Sequence, residues 1–467
     1  MSRMSVSHWY GAVAGASLAA VVPCIAAAES LESALIQAYQ SNPSLNSQRA
    51  SVRAIDEGVP QALSGYRPKV TITASAGEQY TDTRTKLTSG ASPYSTLAGI
   101  YAPSSYGLTS TQTIFNGFQT ANKTRQAEAT VFAARETLRT TEQNVLLSAV
   151  TAYMNLLRDQ AILDLQKRNV EVLQEQLRQI RDRFNVGEVT RTDVAQSESR
   201  IAAGRSQVLT AEANYKTSAA IYRQVVGNDA GRLTAGAPVD RFSPTSLAGA
   251  VASGNAQHPT VLTAQYNVDT AEYQVKIAEG ALLPTFSVNT NVSKTYQSTQ
   301  TALENMTASV IGQLSVPIYQ GGAEYSLVRQ AKETLGQRRI DLDTARDQAR
   351  QTVVQSWGLL EAAKGNIQAT QSQVQAAEVA LNGVREEARV GQRTTLDVLN
   401  AQQELVNARV ALVGAQRDRV VASYTLLAAV GRLAPQVLGL RVSTYDAQVH
   451  YHQVRDSWFG LRTPDGR

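Results

Sequence analysis

The sequence predicts a mainly α-helical protein that also carries membrane-type β-hairpins and is built by internal duplication. Three observations predict this fold: a long internal repeat, helical stretches of unusual length, and paired segments in which apolar and polar residues alternate. Aromatic residues make up only 6% of the 467 residues. Small residues must therefore supply much of the packing, which suits long and closely packed helices.

The chain begins with the pattern of an export signal. Arg3 is followed by an apolar run from Gly11 to Val22 and by three alanines before Glu29. We expect cleavage after Ala28, so that residues 1–28 form a signal peptide. The single cysteine, Cys24, lies inside it, and the mature chain then has no disulfide. An uncleaved anchor is disfavoured, because the apolar run is shorter than the ~20 residues of a spanning helix.

The duplication is clearest in two short stretches, VGEVTRTDV from Val186 and VGQRTTLDV from Val390, which lie 204 positions apart. The same shift relates residues 114–227 to residues 318–431 without a gap. Nearer the N-terminus the shift becomes 216, as Pro43 with Pro259 illustrates. One length difference of 12 residues, between Pro68 and Leu108, reconciles the two shifts. The repeated unit is far longer than a solenoid repeat.

Each repeat has the same predicted order of elements. The first, residues 29–230, contains a helix, strands at about 68–80 and 105–115, a long helix over 117–185 and a helix over 191–226. The second, residues 245–433, contains a helix over 247–280, strands at about 284–294 and 308–318, a long helix over 321–389 and a helix over 395–430. The C-terminal tail, residues 434–467, has no periodicity, and we expect it to be periplasmic and partly disordered.

The alternating segments have the length of membrane-crossing strands, about 10 residues. Soluble hairpins would show the same alternation, but these pairs occur at equivalent places in both halves of an exported chain. Four strands cannot close a barrel, and open edges are not tolerated in lipid. Two chains would give 8 strands and three would give 12. The segment Thr81 to Ser105 holds the 12 extra residues and is predicted to be an outward-facing loop.

The long helical stretches contain no proline and place small and apolar residues at spacings of three and four. At 1.5 Å per residue, such a stretch reaches roughly 100 Å. This length implies coiled-coil-like packing in helical hairpins.

Two turns are predicted to join the helices of these hairpins. Gly187 and Gly391 lie where a helix ends in a left-handed residue. Thr190 with Asp193, and Thr394 with Asp397, have the spacing of a capping box at the start of the next helix. A capping box contributes on the order of 1 kcal/mol.

Acidic and amide side chains follow each turn. Asp397 and Asn400 are three residues apart and share one helical face, as do Asp193 and Gln196. In a symmetric oligomer whose turns converge, such a face forms a ring around the axis. A ring of carboxylates binds or selects cations.

The stretch VGQRTTLDVLNAQQELVNAR, Val390 to Arg409, together with the duplication and the paired strands, resembles the TolC-type outer membrane efflux and type I secretion channels. The resemblance implies a homotrimer whose four strands per chain form a 12-stranded β-barrel in the outer membrane. It also implies an α-barrel across the periplasm, closed by the helical tips. The partners would be a periplasmic adaptor and an inner-membrane pump of the RND or ABC type. Small molecules or secreted proteins would be the cargo.

The resemblance also implies roles for single residues. Asp397 matches the first acid of a selectivity ring at the tip, and Asn400 stands where some members carry a second acid. We therefore expect a weaker cation block at this entrance.

A latch of the closed gate is implied in the same way. Arg393 matches an arginine that helps to hold the closed state, and Thr192 and Asp193 match its partners on the neighbouring hairpin. Ala388 occupies a position where some members have a tyrosine that binds this aspartate. One closing bond is then absent. A solvated pair between Arg393 and Asp397 is the plainer interpretation.

Other classes of protein fit the sequence less well. An enzyme is disfavoured, because no phosphate loop or nucleophile elbow occurs, and we expect no cofactor and no metal site. The net charge of +5 is spread along the chain without a basic run, which disfavours nucleic acid. A structural or adaptor-like periplasmic coiled-coil protein explains the helices but not the duplicated strand pairs.

Overall fold

The computed structural model describes residues 29–88, 93–299 and 302–466. The predicted signal peptide, residues 1–28, lies outside them, as do residues 89–92 of the predicted loop. The helices are α1 (Leu31–Ser41), α2 (Pro43–Asp56), α3 (Gly58–Leu63), α4 (Gln119–Asn185), α5 (Arg191–Val226), α6 (Leu247–Gln257), α7 (Pro259–Gly280), α8 (Ala323–Arg389), α9 (Thr395–Ala429), α10 (Pro435–Leu438) and α11 (Ala447–Val454). The strands are β1 (Lys69–Ala76), β2 (Gln79–Lys86), β3 (Tyr94–Tyr101), β4 (Ser104–Asn116), β5 (Thr285–Tyr296) and β6 (Glu304–Ser315).

Four strands form one antiparallel sheet in the order β1-β4-β5-β6. The register places Ile72, Leu108, Val292 and Ala308 in one row across all four strands. The adjacent row is Thr71, Thr109, Asn291 and Ser309. Because successive side chains of a strand point to opposite faces, the sheet has one mostly apolar face and one mostly polar face. A membrane barrel with a wet interior has this pattern.

The prediction of a loop over Thr81 to Ser105 is wrong. Strands β2 and β3 pair antiparallel in this segment, from Gln79 with Tyr101 to Lys86 with Tyr94, and form a separate two-stranded ribbon. In the second repeat, β5 runs directly to β6 through a short connection. The 12 extra residues of the first repeat therefore extend the hairpin rather than loosen it.

The predicted single helix over 247–280 is also wrong, since it is two helices, α6 and α7. Pro259 occupies the first turn of α7, and the residue before a proline is disfavoured in helical conformation. His258 instead caps α7, its Nδ1 accepting a hydrogen bond from the amide of Thr260 at 3.3 Å. Burial lowers the pKa of His258, with Arg139 adding to the shift, which favours the neutral, accepting ring. Asn42 caps α2 before Pro43 in the same way.

The two long helices, α4 and α8, are both 67 residues long, which corresponds to about 100 Å. Each begins just beyond the sheet, and α5 and α9 fold back along their far ends. Gly117 makes the corner between β4 and α4 with a φ of +64°. A Cβ at this position would lie 2.2 Å from the carbonyl oxygen of Gly280, so only glycine allows the close approach of α7.

The largest hydrophobic core surrounds the middle of α4. Side chains from α1, α2, α5 and α9 converge there, and the fully buried members include Leu35, Leu146, Tyr153, Tyr222 and Leu427. The segment that joins the two repeats, residues 227–246, covers one side of this core. The core thus sits about halfway between the sheet and the far ends of the helices.

Glu29 ties the start of the described chain to the segment between the repeats. Its amide donates to the carbonyl oxygen of Arg232 at 2.8 Å. Its carboxylate accepts hydrogen bonds from the Tyr222 hydroxyl at 2.5 Å and from the Gly231 amide at 3.0 Å. Burial raises the pKa of Tyr222, and the neighbouring Glu29 raises it further, so the phenol keeps its proton and remains a donor.

The expectation of a partly disordered tail is wrong for the described C-terminal residues. Helix α11 packs on α2, and the His450 Nδ1 lies 3.0 Å from the Asp56 Oδ2 in a buried contact. The amide of Tyr445 donates to the Tyr39 hydroxyl at 3.2 Å. These contacts are made with residues far away in sequence, so they could not be predicted from local periodicity.

Among the described residues, no helix combines the length and the apolar character that crossing a bilayer demands.

Removal of the Tyr222 hydroxyl tests the Glu29 anchor. In Tyr222→Phe the half-buried Glu29 carboxylate loses a donor, which costs about 1 kcal/mol. We expect amide exchange of residues 230–234 to become roughly fivefold faster, because the segment opens locally. Tyr215→Phe, a half-buried tyrosine of the same helix, is the control. Equal exchange in the two variants would show that the hydroxyl does not hold the segment.

Candidate functional site

The candidate site lies at the two helical turns farthest from the sheet, the first tip (residues 186–190) and the second tip (residues 390–394). At the first tip, the amides of Gly187 and Glu188 donate to the carbonyl oxygens of Phe184 and Arg183, both at 2.9 Å. This pattern is a Schellman motif, and Gly187 supplies its left-handed residue with a φ of +81°.

The second tip has the same backbone geometry. The amide of Gly391 donates to Ala388 at 3.2 Å and that of Gln392 donates to Glu387 at 2.9 Å. The φ of Gly391 is also +81°. No atom lies within 4 Å of where a Cβ would stand on Gly391, so its requirement for glycine comes from the backbone angle alone.

A capping box follows each tip. Asp193 Oδ2 accepts hydrogen bonds from the Thr190 amide at 2.9 Å and the Thr190 hydroxyl at 2.7 Å. Asp397 Oδ2 accepts from the Thr394 amide and hydroxyl at 2.9 and 2.8 Å. The threonine oxygens in turn accept from the aspartate amides, so both boxes are reciprocal. The chain therefore changes direction sharply at each tip without leaving the first amides unsatisfied.

The carboxylate of Asp397 is held in its charged form. The hydrogen bond from the Thr394 amide lowers the pKa of Asp397, and the Thr394 hydroxyl and the Arg393 charge lower it further. Because its pKa is lowered in the folded state, the ionised Asp397 stabilises the folded tip at every pH above its ordinary pKa of 3.8. This stabilisation is lost as the pH falls through the lowered pKa. Asp397 thus presents a negative charge at neutral pH.

Each tip is also spanned by an ion pair, but the two pairs have opposite polarity. At the first tip Arg183 Nε donates to Glu188 at 3.0 Å. At the second tip Arg393 Nε donates to Glu387 at 2.9 Å, and Glu387 stands where the first repeat has Arg183. Both pairs are exposed, so each contributes less than about 1 kcal/mol.

Arg393 was predicted to act with Thr192 and Asp193, or to pair with Asp397. Within this chain its guanidinium hydrogen bonds to Glu387 instead, while Asp397 supports it only through charge. A contact between Arg393 and a neighbouring hairpin remains a prediction.

The two hairpins of one chain are joined just beyond the tips. Arg200 of α5 donates to the Asn400 Oδ1 at 2.6 Å. Beneath this bond Leu173, Ile201 and Leu399 form a small buried cluster. Arg200 could not be predicted from the sequence, because its position in the repeat corresponds to Glu404 and no local motif marks it. Asn400 therefore already has a charged donor within its own chain.

A groove of about 480 Å³ lies between the ends of α4 and α8 beside the second tip. Ala388 lines this groove, together with Val172, Ile180 and Val398. Charged residues also line it: Glu175, Arg183, Arg385, Glu386 and Arg389. The small side chain of Ala388 leaves this space open.

Within the ranges that the structure covers, no three histidine, cysteine, aspartate or glutamate residues are grouped as a metal site requires. His450 is paired with Asp56.

The family model described as "Outer membrane efflux protein" matches residues 34–228 and 253–432. The chain is 44% identical over 443 residues to the outer membrane efflux protein BepC of Brucella suis, with 95% of this chain and 94% of BepC covered. It is 29% identical to the outer membrane protein TolC of Escherichia coli, with 88% and 84% covered. The crystal structure of the Campylobacter jejuni CmeC outer membrane channel has the same fold, with a TM-score of 0.76 at 17% identity over 91% of this chain and 89% of CmeC.

Alanine substitutions at two glycines test the geometry of the second tip. Gly391→Ala forces a left-handed residue to carry a Cβ and should destabilise the tip by about 1 kcal/mol. Gly383→Ala, in the exposed interior of α8, should stabilise the helix by a similar amount. Amide exchange at Gln392 should therefore become faster in the first variant and stay equal or become slower in the second. The same change in both variants would contradict a turn set by the backbone angle.

Proposed function

Because the chain belongs to the outer membrane efflux protein family, we propose that it forms a homotrimeric channel-tunnel that passes cargo from the periplasm through the outer membrane. The relatives are outer membrane efflux and secretion channels, and this chain is likewise a protein of the outer membrane. The observation that carries the proposal is a four-stranded sheet with two open edges joined to helices about 100 Å long.

The open edges support assembly from several chains. Strands β1 and β6 each have one paired side in this chain, and an unpaired edge is not tolerated in lipid. Two chains would close 8 strands, but a barrel of about 8 strands has an interior that side chains fill. Three chains would close 12 strands and leave a lumen, lined by the polar row that contains Thr71 and Asn291. We therefore favour the trimer.

The helices supply the periplasmic part of the duct. In a trimer, the α4–α5 and α8–α9 hairpins of three chains would line a tunnel that continues from the barrel to the tips. Transport through such a duct is passive, and energy would come from a pump of the RND or ABC type in the inner membrane. The duct would serve an efflux pump or a type I secretion system.

The tips are the proposed gate. Asp397 would contribute one carboxylate per chain to a ring at the entrance, and Asn400 would contribute a neutral amide. Arg200 beside Asn400 reduces the negative potential further. We therefore propose an entrance with a single acidic ring, which binds cations less strongly than two rings would.

The latch is proposed to act between hairpins. Arg393 would exchange its exposed bond with Glu387 for contacts to Thr192 and Asp193 of the neighbouring hairpin. The exchange costs little free energy, because an exposed ion pair stabilises the protein by less than about 1 kcal/mol. The gate can then open and close without breaking either capping box.

A periplasmic adaptor is the proposed partner at the same end. The groove of about 480 Å³ beside the second tip combines apolar side chains with arginines and glutamates, which suits a polar helical surface with an apolar anchor. An alternative function is a structural or adaptor-like coiled-coil protein of the periplasm. The two unlike faces of the sheet disfavour it, because a soluble hairpin needs no exposed face that is mostly apolar.

Conductance of the purified protein in planar bilayers tests this function. Divalent or trivalent cations added on the periplasmic side should block the current of the wild type. Asp397→Asn should lose the block, because the amide keeps the capping acceptor but removes the charge.

Glu188→Gln is the matched control, since it removes one exposed acid from the first tip and copies the residue at the equivalent position, Gln392. It should keep the block. A well-inserted oligomer without conductance would overturn the channel, and a block that persists in Asp397→Asn would overturn the acidic ring at the second tip.

A further inference from the structure

The C-terminal segment is fixed to the body of the protein before it reaches its last residues. The carboxylate of Asp56 is fully buried, and its bond with His450 holds α11 against α2. Arg455, just after α11, lies 3.4 Å from Glu128 of α4. The chain beyond α11 therefore starts from a defined place rather than as a free tail.

From this place the chain approaches the sheet and then returns. Arg67 Nη1 donates to the carbonyl oxygen of Ser457 at 2.5 Å, and its guanidinium stacks on the Trp458 ring at 4.6 Å from the centroid. Asp465 then lies 3.6 Å from Arg53 of α2. Residues 458–464 thus form a loop, the C-terminal loop, whose first residue is held at the entry to β1.

This loop presents three large apolar side chains to its surroundings. Trp458 is 66% exposed, Phe459 is 93% exposed and Leu461 is fully exposed. Single exposed apolar residues are ordinary on a protein surface, but three within four residues form a patch. Apart from Arg67 over the Trp458 ring, nothing in the described part of this chain covers them.

The patch lies beside the end of the sheet at which β1 begins and the long helices follow β4 and β6. Arg67 is three residues before Val70, which belongs to the apolar face of the sheet. At 3.3 Å per residue, the two are about 10 Å apart along the chain. Exposed aromatic residues from other elements occupy the same rim: Tyr66, Phe118 and, from the second repeat, Tyr319.

The chemistry of the loop suits a lipid interface. Tryptophan is enriched at the boundary between headgroups and acyl chains, because its ring is apolar and its N–H is polar. Arg67 adjoins the Trp458 ring, and a guanidinium at this depth can bind lipid phosphate. The loop therefore continues the apolar face of the sheet toward the periplasm.

We propose that the C-terminal loop is a membrane anchor that inserts Trp458, Phe459 and Leu461 into the periplasm-facing leaflet of the outer membrane. The anchor rests on the location of the protein in this membrane and not on its conductance. In the assembled protein it would set the depth of the sheet in the bilayer and brace the helical body against the membrane surface.

Tryptophan fluorescence in vesicles tests the anchor. The chain has three tryptophans, Trp9, Trp357 and Trp458, and Trp9 lies in the predicted signal peptide. Trp357 is 34 residues into α8, or about 50 Å from its start. Trp9→Phe/Trp357→Phe leaves Trp458 as the reporter, and Trp9→Phe/Trp458→Phe leaves Trp357 as the matched control.

Both variants are reconstituted in phosphatidylethanolamine and phosphatidylglycerol vesicles, with or without lipid brominated near the headgroup end of the acyl chain. Emission of Trp458 should fall roughly twofold in brominated vesicles, as expected for a ring at the interface. Emission of Trp357 should not change. Unquenched, red-shifted emission from Trp458 would overturn the anchor, and unquenched, blue-shifted emission would assign the loop to a neighbouring copy of the chain instead.

A second pair of variants separates the loop from the fold. Phe459→Ser/Leu461→Ser, made in the single-Trp458 background, removes two exposed side chains and should abolish most of the quenching. Val449→Ser, an exposed apolar residue of α11, should keep it. Both should retain the oligomer and its conductance, so a failed anchor leaves the channel function untouched. Equal quenching in the two variants would overturn the role of the loop.

Discussion

The structure depends on one constraint: every backbone polar group that faces lipid needs a hydrogen-bond partner. A sheet with the order β1-β4-β5-β6 satisfies this constraint everywhere except at its two edges. Its four strands alternate in direction, so β6 of one chain and β1 of another would again pair antiparallel. Closure by further copies is therefore the natural completion of the fold. The same constraint orients the helices, since α4 and α8 follow β4 and β6 at the same end of the sheet and therefore extend in the same direction.

Much of this architecture could be predicted from the sequence, and the reason is the duplication. A residue pattern that is weak in one repeat becomes convincing when it recurs at the equivalent positions of the other. The strands, the long helices and both capping boxes could be predicted in this way. Local chemistry decides these features, as with Gly391 and the pair of Thr394 and Asp397. The ribbon of β2 and β3 was missed for a physical reason. Strand β2 carries Tyr80, Asp82, Arg84 and Lys86 on one face and Gln79 with threonines on the other, so neither face is apolar and no alternating pattern marks it.

Contacts between distant segments could not be predicted from the sequence either. The bond between Asp56 and His450, and the one between Arg200 and Asn400, each join residues separated by 200 positions or more. Neither pair has a motif, and in one sequence nothing links its members. At the tips, the sequence determined the turn but not the side-chain partners. Arg393 shows this best, because its bond to Glu387 depends on which acid lies nearest across the turn.

The equal length of α4 and α8 has a consequence for how such a chain can change. One inserted residue rotates everything beyond it by about 100° and shifts it by 1.5 Å, which would tilt one tip out of the common plane. Only steps of about 7 or 11 residues restore the helical seam. They must also occur in both halves together. Evolution can thus alter the span of this protein only in paired steps of whole helical repeats, whereas the ribbon, which lies outside the four-stranded sheet, is under no such constraint.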